Sequence, residues 1–248
     1  MGDRKLEIEK HFIFDVDGTL TPSRGEIDHD FAVFFSTFCA ENNVYLVTGS
    51  DRDKTIEQIG EEIYSLCKRV YNCSGCDVWE GSTNIRASHW ILPEDAHEWL
   101  SVKLTESPFT IRAGLHFEHR PGMVNYSIVG RKANLEERAR YVAYDTFEDE
   151  RNKIAKSFNK LFPELEARPG GETGIDIAPK GYNKSQILDD FKHNDELHFF
   201  GDRMDKAGND YPLSKMIIDN KPFFARLQRT DFQCFDVNNV GPINRLIV

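Results

Sequence analysis

Apolar residues along this chain switch between two periods. "HFIFDVDGTL" begins as an unbroken apolar run and ends in Asp15, Asp17 and Gly18, the pattern of a buried strand closing in an acidic turn. "DHDFAVFFSTFCAEN" sets Phe31, Phe34, Phe35 and Phe38 at helical spacing, which predicts an amphipathic helix with a phenylalanine core face. "NVYLVTGSD" reads as a second short strand ending in a glycine turn. "DKTIEQIGEEIYSLCKR" reads as a second helix with Ile56, Ile59, Ile63 and Cys67 on one side. Strand, helix, strand, helix predicts a parallel sheet with crossover helices. The same grammar returns near the C-terminus, with "DELHFFGD" and "KMIIDN" as expected strands and "FDVNNVGPINRLIV" as a closing strand or helix.

Between these pieces the period changes. "LPEDAHEWLSVKL" predicts a helix, "TIRAGLHFEH" and "GMVNYSIVG" a pair of antiparallel strands across a turn, and the charged stretch from Asn134 a long helix. The expected organisation is an α/β, Rossmann-like core at 1–84 and 181–248, with an α+β domain inserted at 85–180. A cleft between the two is the expected place for a small ligand.

Composition adds exclusions. Of 248 residues, 40% are hydrophobic and 29% charged, which fits a folded globular protein. Acidic residues outnumber basic ones 41 to 31, for a formal charge of −10, so nucleic acid and anionic membranes are repelled on average. No run reaches the roughly 20 apolar residues of a membrane span, and "MGDRKLEIEK" lacks the apolar core of a signal peptide. The expected compartment is the cytoplasm. Five cysteines, including "CSGC" at 73–76, make no disulfide or metal framework and are expected as buried thiols.

The chemistry concentrates at strand ends, where open α/β sheets bind ligands. An EF-hand reading of "DVDG" fails, because it puts Ile13 and Arg24 at positions that need carboxylates. The remaining functional reading makes Asp15 a nucleophile toward phosphorus and Asp17 a general acid/base, with Mg²⁺ offsetting anion repulsion. Thr48 or Ser50 in "VTGSD" can donate to a phosphoryl oxygen. In "PKGYNKSQIL", Asn183 and Gln186 have capping-box spacing, which puts Lys184 in the first turn of a helix facing an anion. Asp202 and Asp210 in "GDRMDKAGND" can complete the metal site.

These four motifs, in this order, resemble the haloacid dehalogenase superfamily of phosphotransferases, and within it the eukaryotic-type phosphomannomutases. The resemblance implies that Arg24 joins the phosphate site and that Asp15, Asp202, Asp210 and the Asp17 carbonyl surround Mg²⁺. "RPGMVNYSIVGRKANLEER" resembles the family's cap segment, which gives Arg120, Arg131 and Arg138 the grip on a distal phosphate and places Met123 and Asn125 in the substrate site. "GGETGID" resembles the sugar-contacting strand with Asp176 as its carboxylate, but has Gly174 where a serine is expected. "YNCSGCDVWEG" likewise lacks the usual Glu-Asn-Gly turn. The implied activity interconverts mannose 6-phosphate and mannose 1-phosphate through an aspartyl phosphate, with a hexose 1,6-bisphosphate as intermediate and activator and a homodimer formed through the cap. The rivals are a sugar phosphatase of the same superfamily and a non-catalytic module that binds a phosphorylated ligand.

Overall fold

The structure is a computed structural model that describes residues 9–22, 25–192, 195–206 and 208–219, and the backbone of 233–236. Arg24 lies outside the described residues, as do 237–248 of the closing segment. Two compact units form: Met1–Ala87 with Asn183–Val248, and Ser88–Tyr182. Sequence reasoning set these junctions at 84/85 and 180/181.

In the first unit β1 (Lys10–Phe14), α1 (His29–Glu41), β2 (Asn43–Val47), α2 (Arg52–Leu66) and β3 (Arg69–Asn72) follow one another as the apolar periods require. The chain then folds back as β4 (Asp77–Glu80) and β5 (Thr83–Ala87), two strands that the sequence reading did not anticipate. After the second unit come β10 (Glu196–Gly201), α6 (Tyr211–Asp219) and β11 (Gln233–Asp236). The seven strands lie in the order β11-β10-β1-β2-β3-β4-β5, parallel as far as β3 and antiparallel beyond it.

Both sheet faces are covered, which is why β1 reads as a continuous apolar run. Phe14 faces Phe35, Ile59, Ile63 and Tyr64, whereas Ile13 packs with Val47, Phe199, Leu213 and Ile217 on the other side. Phe14 also stacks on Phe200 of the neighbouring strand at 4.6 Å between ring centroids, a pair worth about 0.5–1.5 kcal/mol beyond its buried area. Of the four α1 phenylalanines, Phe31, Phe35 and Phe38 join this core, but Phe34 only stacks on Phe31 at the edge.

"KMIIDN" is not a strand. Leu213, Ser214 and Ile217 are buried at helical spacing in α6, while Met216 and Ile218 are exposed. Of the short apolar cluster only Ile217 joins the buried stripe of a helix begun upstream, a distinction that periodicity over four residues cannot make.

The second unit has α3 (Glu94–Glu106), β6 (Phe117–Arg120), β7 (Met123–Tyr126), α4 (Leu135–Glu148), α5 (Glu150–Leu161), β8 (Leu165–Gly170) and β9 (Gly174–Pro179). The antiparallel sheet runs β6-β7-β9-β8. Of "TIRAGLHFEH", only Phe117 to His119 is strand, the first three residues of β6. The long helix expected from Asn134 is two, because Asp149 adopts a left-handed conformation (φ 55°, ψ 36°) between α4 and α5. Val124, Tyr126, Ile175, Ile177 and Ala167 form a core with Leu100, Tyr141 and Phe158, so one sheet face is apolar and the other carries polar side chains.

Candidate active site

β1 stops at Phe14, and the Asp15 amide still donates to Phe200 O at 2.9 Å, which fixes Asp15 just past the carboxyl end of the strand. Beyond it the chain curls: the amides of Thr19, Leu20 and Thr21 all donate to Val16 O at 3.0–3.2 Å. Gly18 has φ +83°, a left-handed conformation that costs an L side chain, and a Cβ there would run into the Asp202 carboxylate.

Three carboxylates meet at this edge. Asp15, Asp202 and Asp210 each offer an oxygen within 4.8 Å of the others. Lys184, 1% exposed, bridges Asp15 and Asp210, donating to Asp210 Oδ1 at 2.6 Å and making a second, close contact with Asp15 Oδ1. Burial pushes the Asp15 carboxyl up to about 7, against the opposing pull of Lys184. Burial would lower the Lys184 ammonium, but the charges of Asp15 and Asp210 outweigh it and hold the lysine protonated. Asp202 is also raised, by burial and then by Asp210. A hard, all-oxygen donor set of this kind suits Mg²⁺, and the residues present fit it.

Lys184 arrives on a 3₁₀ segment, Lys184–Asp190, rather than an α-helix. Asn183 caps it by accepting from Ser185 N at 3.0 Å, but no capping box forms. Gln186 instead donates to Ser74 O at 2.7 Å, tying the lysine segment to the "CSGC" turn. That turn is left-handed at Cys73, Ser74 and Gly75 (φ 48°, 59° and 97°), and its amides grip the β2 loop: Cys73 N to Ser50 O at 2.9 Å and Ser74 N to Thr48 O at 2.7 Å. Cys39, Cys67, Cys73 and Cys76 are buried and form no disulfide among the described residues.

Asp17 points elsewhere than Asp15. Its Oδ2 accepts from Ser50 Oγ at 3.3 Å and its Oδ1 from Gln58 Nε2 at 2.9 Å. Thr48 is fully buried and its hydroxyl accepts from Ser50 N at 3.1 Å, so Ser50 is the hydroxyl that reaches Asp17 and Thr48 its support. Thr19 Oγ1 donates to Asp15 Oδ2 at 3.0 Å. Gln58 escaped the sequence reading. Its one signal was a polar residue beside Ile59 on the buried stripe of α2.

In the second unit the polar sheet face gathers the expected ligand groups. Cross-strand register aligns Glu118 with Asn125, Asn125 with Asp176, and Arg120 with Met123. Arg120 pairs with Glu118 Oε1 at 3.0 Å, and Arg131 makes a close contact with Glu118 Oε2. Burial opposes ionisation of Glu118, but the hydrogen bonds and charges of the two arginines prevail and lower its pKa. Glu118 was not foreseen. Asn125 Nδ2 donates to Asp176 Oδ1 at 2.5 Å, and Asp176 is raised, chiefly by burial. A Cβ on Gly174 would lie 2.5 Å from the Asn125 amide nitrogen, so the missing serine side chain is replaced in space by Asn125. Arg138 stands apart from this group, pairing with Glu172 at 3.5 Å from the capping-boxed start of α4.

A parallel sheet with a carboxylate cluster and a buried lysine at its strand ends, interrupted by an antiparallel α+β unit, defines the haloacid dehalogenase class of fold. Solved structures share it: the C-terminal domain of trehalose-6-phosphate phosphatase from C. albicans (TM-score 0.62, 14% identity, 90% of this chain and 78% of that one) and a haloacid dehalogenase-like hydrolase from Bacteroides thetaiotaomicron (TM-score 0.54, 13% identity, 84% and 85%). Residues 31–221 match the family model for eukaryotic phosphomannomutase. The chain is 31% identical to the phosphomannomutase of Saccharomyces cerevisiae over 240 residues (92% of each), and 30% identical to that of Galdieria sulphuraria over 209 residues (81% of this chain, 83% of the relative). It belongs to the eukaryotic phosphomannomutase family, a membership that implies Mg²⁺ dependence in general. No helix among the described residues is long and apolar enough to cross a membrane.

Proposed function

We propose that this protein is a phosphomannomutase that interconverts mannose 6-phosphate and mannose 1-phosphate, with Asp15 as the group that carries the phosphoryl between them. The observation that carries this reading is the buried Asp15–Lys184–Asp210 bridge beside Asp202 at the strand ends. A lysine held protonated between two carboxylates presents a fixed positive charge where a phosphoryl group would sit.

Asp15 Oδ attacks phosphorus, and the bond from phosphorus to the sugar oxygen breaks. Asp17 protonates that departing oxygen, and in the second half it takes the proton back from the sugar hydroxyl that attacks the aspartyl phosphate. Lys184 and Ser50 steady the transferring oxygens. Asp15, Asp202, Asp210 and the Asp17 carbonyl would hold Mg²⁺, which supplies charge neutralisation between the anionic nucleophile and the phosphate. Arg120, Arg131 and Arg138 hold the phosphate that is not reacting, Arg24 contributes to the phosphate site of the first loop, and Met123, Asn125, Gly174 and Asp176 line the sugar side. Glu118 keeps Arg120 and Arg131 paired until a phosphate competes for them. Hexose 1,6-bisphosphate is the intermediate and activator, the working form a cytoplasmic homodimer joined through the inserted domain.

The test is a phosphorus NMR time course with Mg²⁺, mannose 1-phosphate and a trace of hexose 1,6-bisphosphate. The expected product is the 6-phosphate without inorganic phosphate. Inorganic phosphate without isomerisation would make the protein a phosphatase, and no change in either would refute both.

A further inference from the structure

Gln58 is a buried polar side chain at the site that the mechanism above leaves without a role. It lies on α2, 1% exposed, and its Nε2 faces Asp17 Oδ1 at 2.9 Å, Thr21 Oγ1 at 3.2 Å and Gly25 O at 3.5 Å. Its backbone carbonyl accepts from Ile27 N at 2.8 Å, so main chain and side chain both tie the loop after β1 to the helix. Its other amide atom, Oε1, is buried with no hydrogen-bond partner among the described residues. A side chain present only to fill space would be apolar there, because an orphaned buried acceptor destabilises the fold. What the amide contributes is its N–H, directed at the acid/base.

We propose that Gln58 is a positioning residue that holds the carboxyl plane of Asp17 through its hydrogen bond to Oδ1. Ser50 Oγ donates to the other oxygen, Oδ2, at 3.3 Å, so Gln58 and Ser50 hold the carboxyl from both of its oxygens. In the transfer step Asp15 bonds to phosphorus, the bond from phosphorus to the sugar oxygen breaks, that oxygen keeps the electron pair, and it takes a proton from Asp17. In the return step Asp17 removes the proton of the attacking hydroxyl. Gln58 touches neither substrate nor metal and acts only by holding the carboxyl plane. Glutamine suits the task because, unlike a carboxylate or an imidazole, it keeps its donor at every working pH.

This inference rests on the roles proposed for Asp15 and Asp17, and the experiment separates the two. Formation of phospho-Asp15 is followed by intact mass in the full-length protein with Mg²⁺, using two donors. Hexose 1,6-bisphosphate has a sugar oxygen that needs a proton to leave; acetyl phosphate releases acetate, which needs none. Gln58→Met keeps the volume and loses the donor. It should slow transfer from the bisphosphate by about 10- to 100-fold, in line with the ~10²-fold cost of a misplacement on the order of 1 Å, and leave acetyl phosphate within about twofold of wild type. Gln58→Glu, which keeps the shape but presents an acceptor, should reproduce the same selective loss if Gln58→Met does not fold. Equal loss with both donors would reduce Gln58 to a structural residue, and no loss with either would remove it from the mechanism. Wild type that is phosphorylated by neither donor would overturn the roles of Asp15 and Asp17 themselves.

Discussion

Lys184→Met tests the charge arrangement at its centre. The substitution removes one cation from between Asp15, 2% exposed, and Asp210, fully buried, and fills its volume with an uncharged chain. Removing one partner of a buried ion pair costs about 3–5 kcal/mol, because the other charge stays buried without compensation. At roughly 2–4 °C per kcal/mol for a chain of this size, that is a fall of roughly 6–20 °C in Tm. The pH dependence follows from linkage. Asp15 in the folded wild type is raised to about 7 by burial, with Lys184 as the main group pulling it back down. Without the lysine it rises further, while in the unfolded chain it stays near an ordinary carboxylate at about 3.9. Between those values the folded state keeps a proton that the unfolded chain gives up, so stability falls as pH rises through the window. The gap between variant and wild type should therefore be wider at pH ~8.5 than at pH ~5, by at most about 2 kcal/mol, the linkage of one proton over the ~1.5 pH units above 7. Thermal unfolding in chelator at both values is the measurement. A gap that is absent at the higher pH, or that narrows as pH rises, would refute the bridge as described.

The remaining expectations concern single positions. Gly18→Ala forces a side chain into a left-handed backbone, at about 1–2 kcal/mol, and displaces Asp202; phosphorylation of Asp15 should fall and the Mg²⁺ needed for half-maximal rate should rise. Arg131→Ala leaves Asp15 untouched and frees Glu118. It should weaken sugar-phosphate binding, read as KM, far more than acetyl-phosphate labelling of Asp15, and equal losses would sink the assigned role. Gly174→Ser places a side chain against the Asn125 amide; it should push Asn125 off Asp176 and change the ratio of kcat/KM for mannose and glucose phosphates, and an unchanged ratio would show that this corner does not read the sugar.

What the sequence disclosed depended on which atoms hold each feature. Asp15, Lys184, Asp202 and Asp210 were legible because each follows a strand or opens a turn, and a parallel sheet delivers its strand ends to one edge. Gln58 was not: its partner Asp17 is 41 residues away, and a glutamine on a helical stripe carries no mark of the hydrogen bond it makes. The pairing of Asn183 with Gln186 misled, since Gln186 had a stronger use in Ser74 O than in a capping box. Arg120 and Arg131 converge because Glu118 binds both, a residue that carries no motif.

The two departures from the family pattern divide along the same line. The "CSGC" turn grips Thr48 and Ser50 through the amides of Cys73 and Ser74, and Gln186 reaches it at a carbonyl. Backbone groups do the holding, so a changed set of side chains keeps the geometry as long as the left-handed conformation is met, with Gly75 relieving one of the three positions. Gly174 is the opposite case. There the side chain itself is missing, and the Asn125 amide takes its space and hydrogen-bonds Asp176. A change carried by backbone leaves the chemistry where it was, whereas a change carried by side chains alters what a sugar would meet. The core site is therefore the part expected to behave like its relatives, and the corner around Asn125, Gly174 and Asp176 the part where substrate preference is expected to differ.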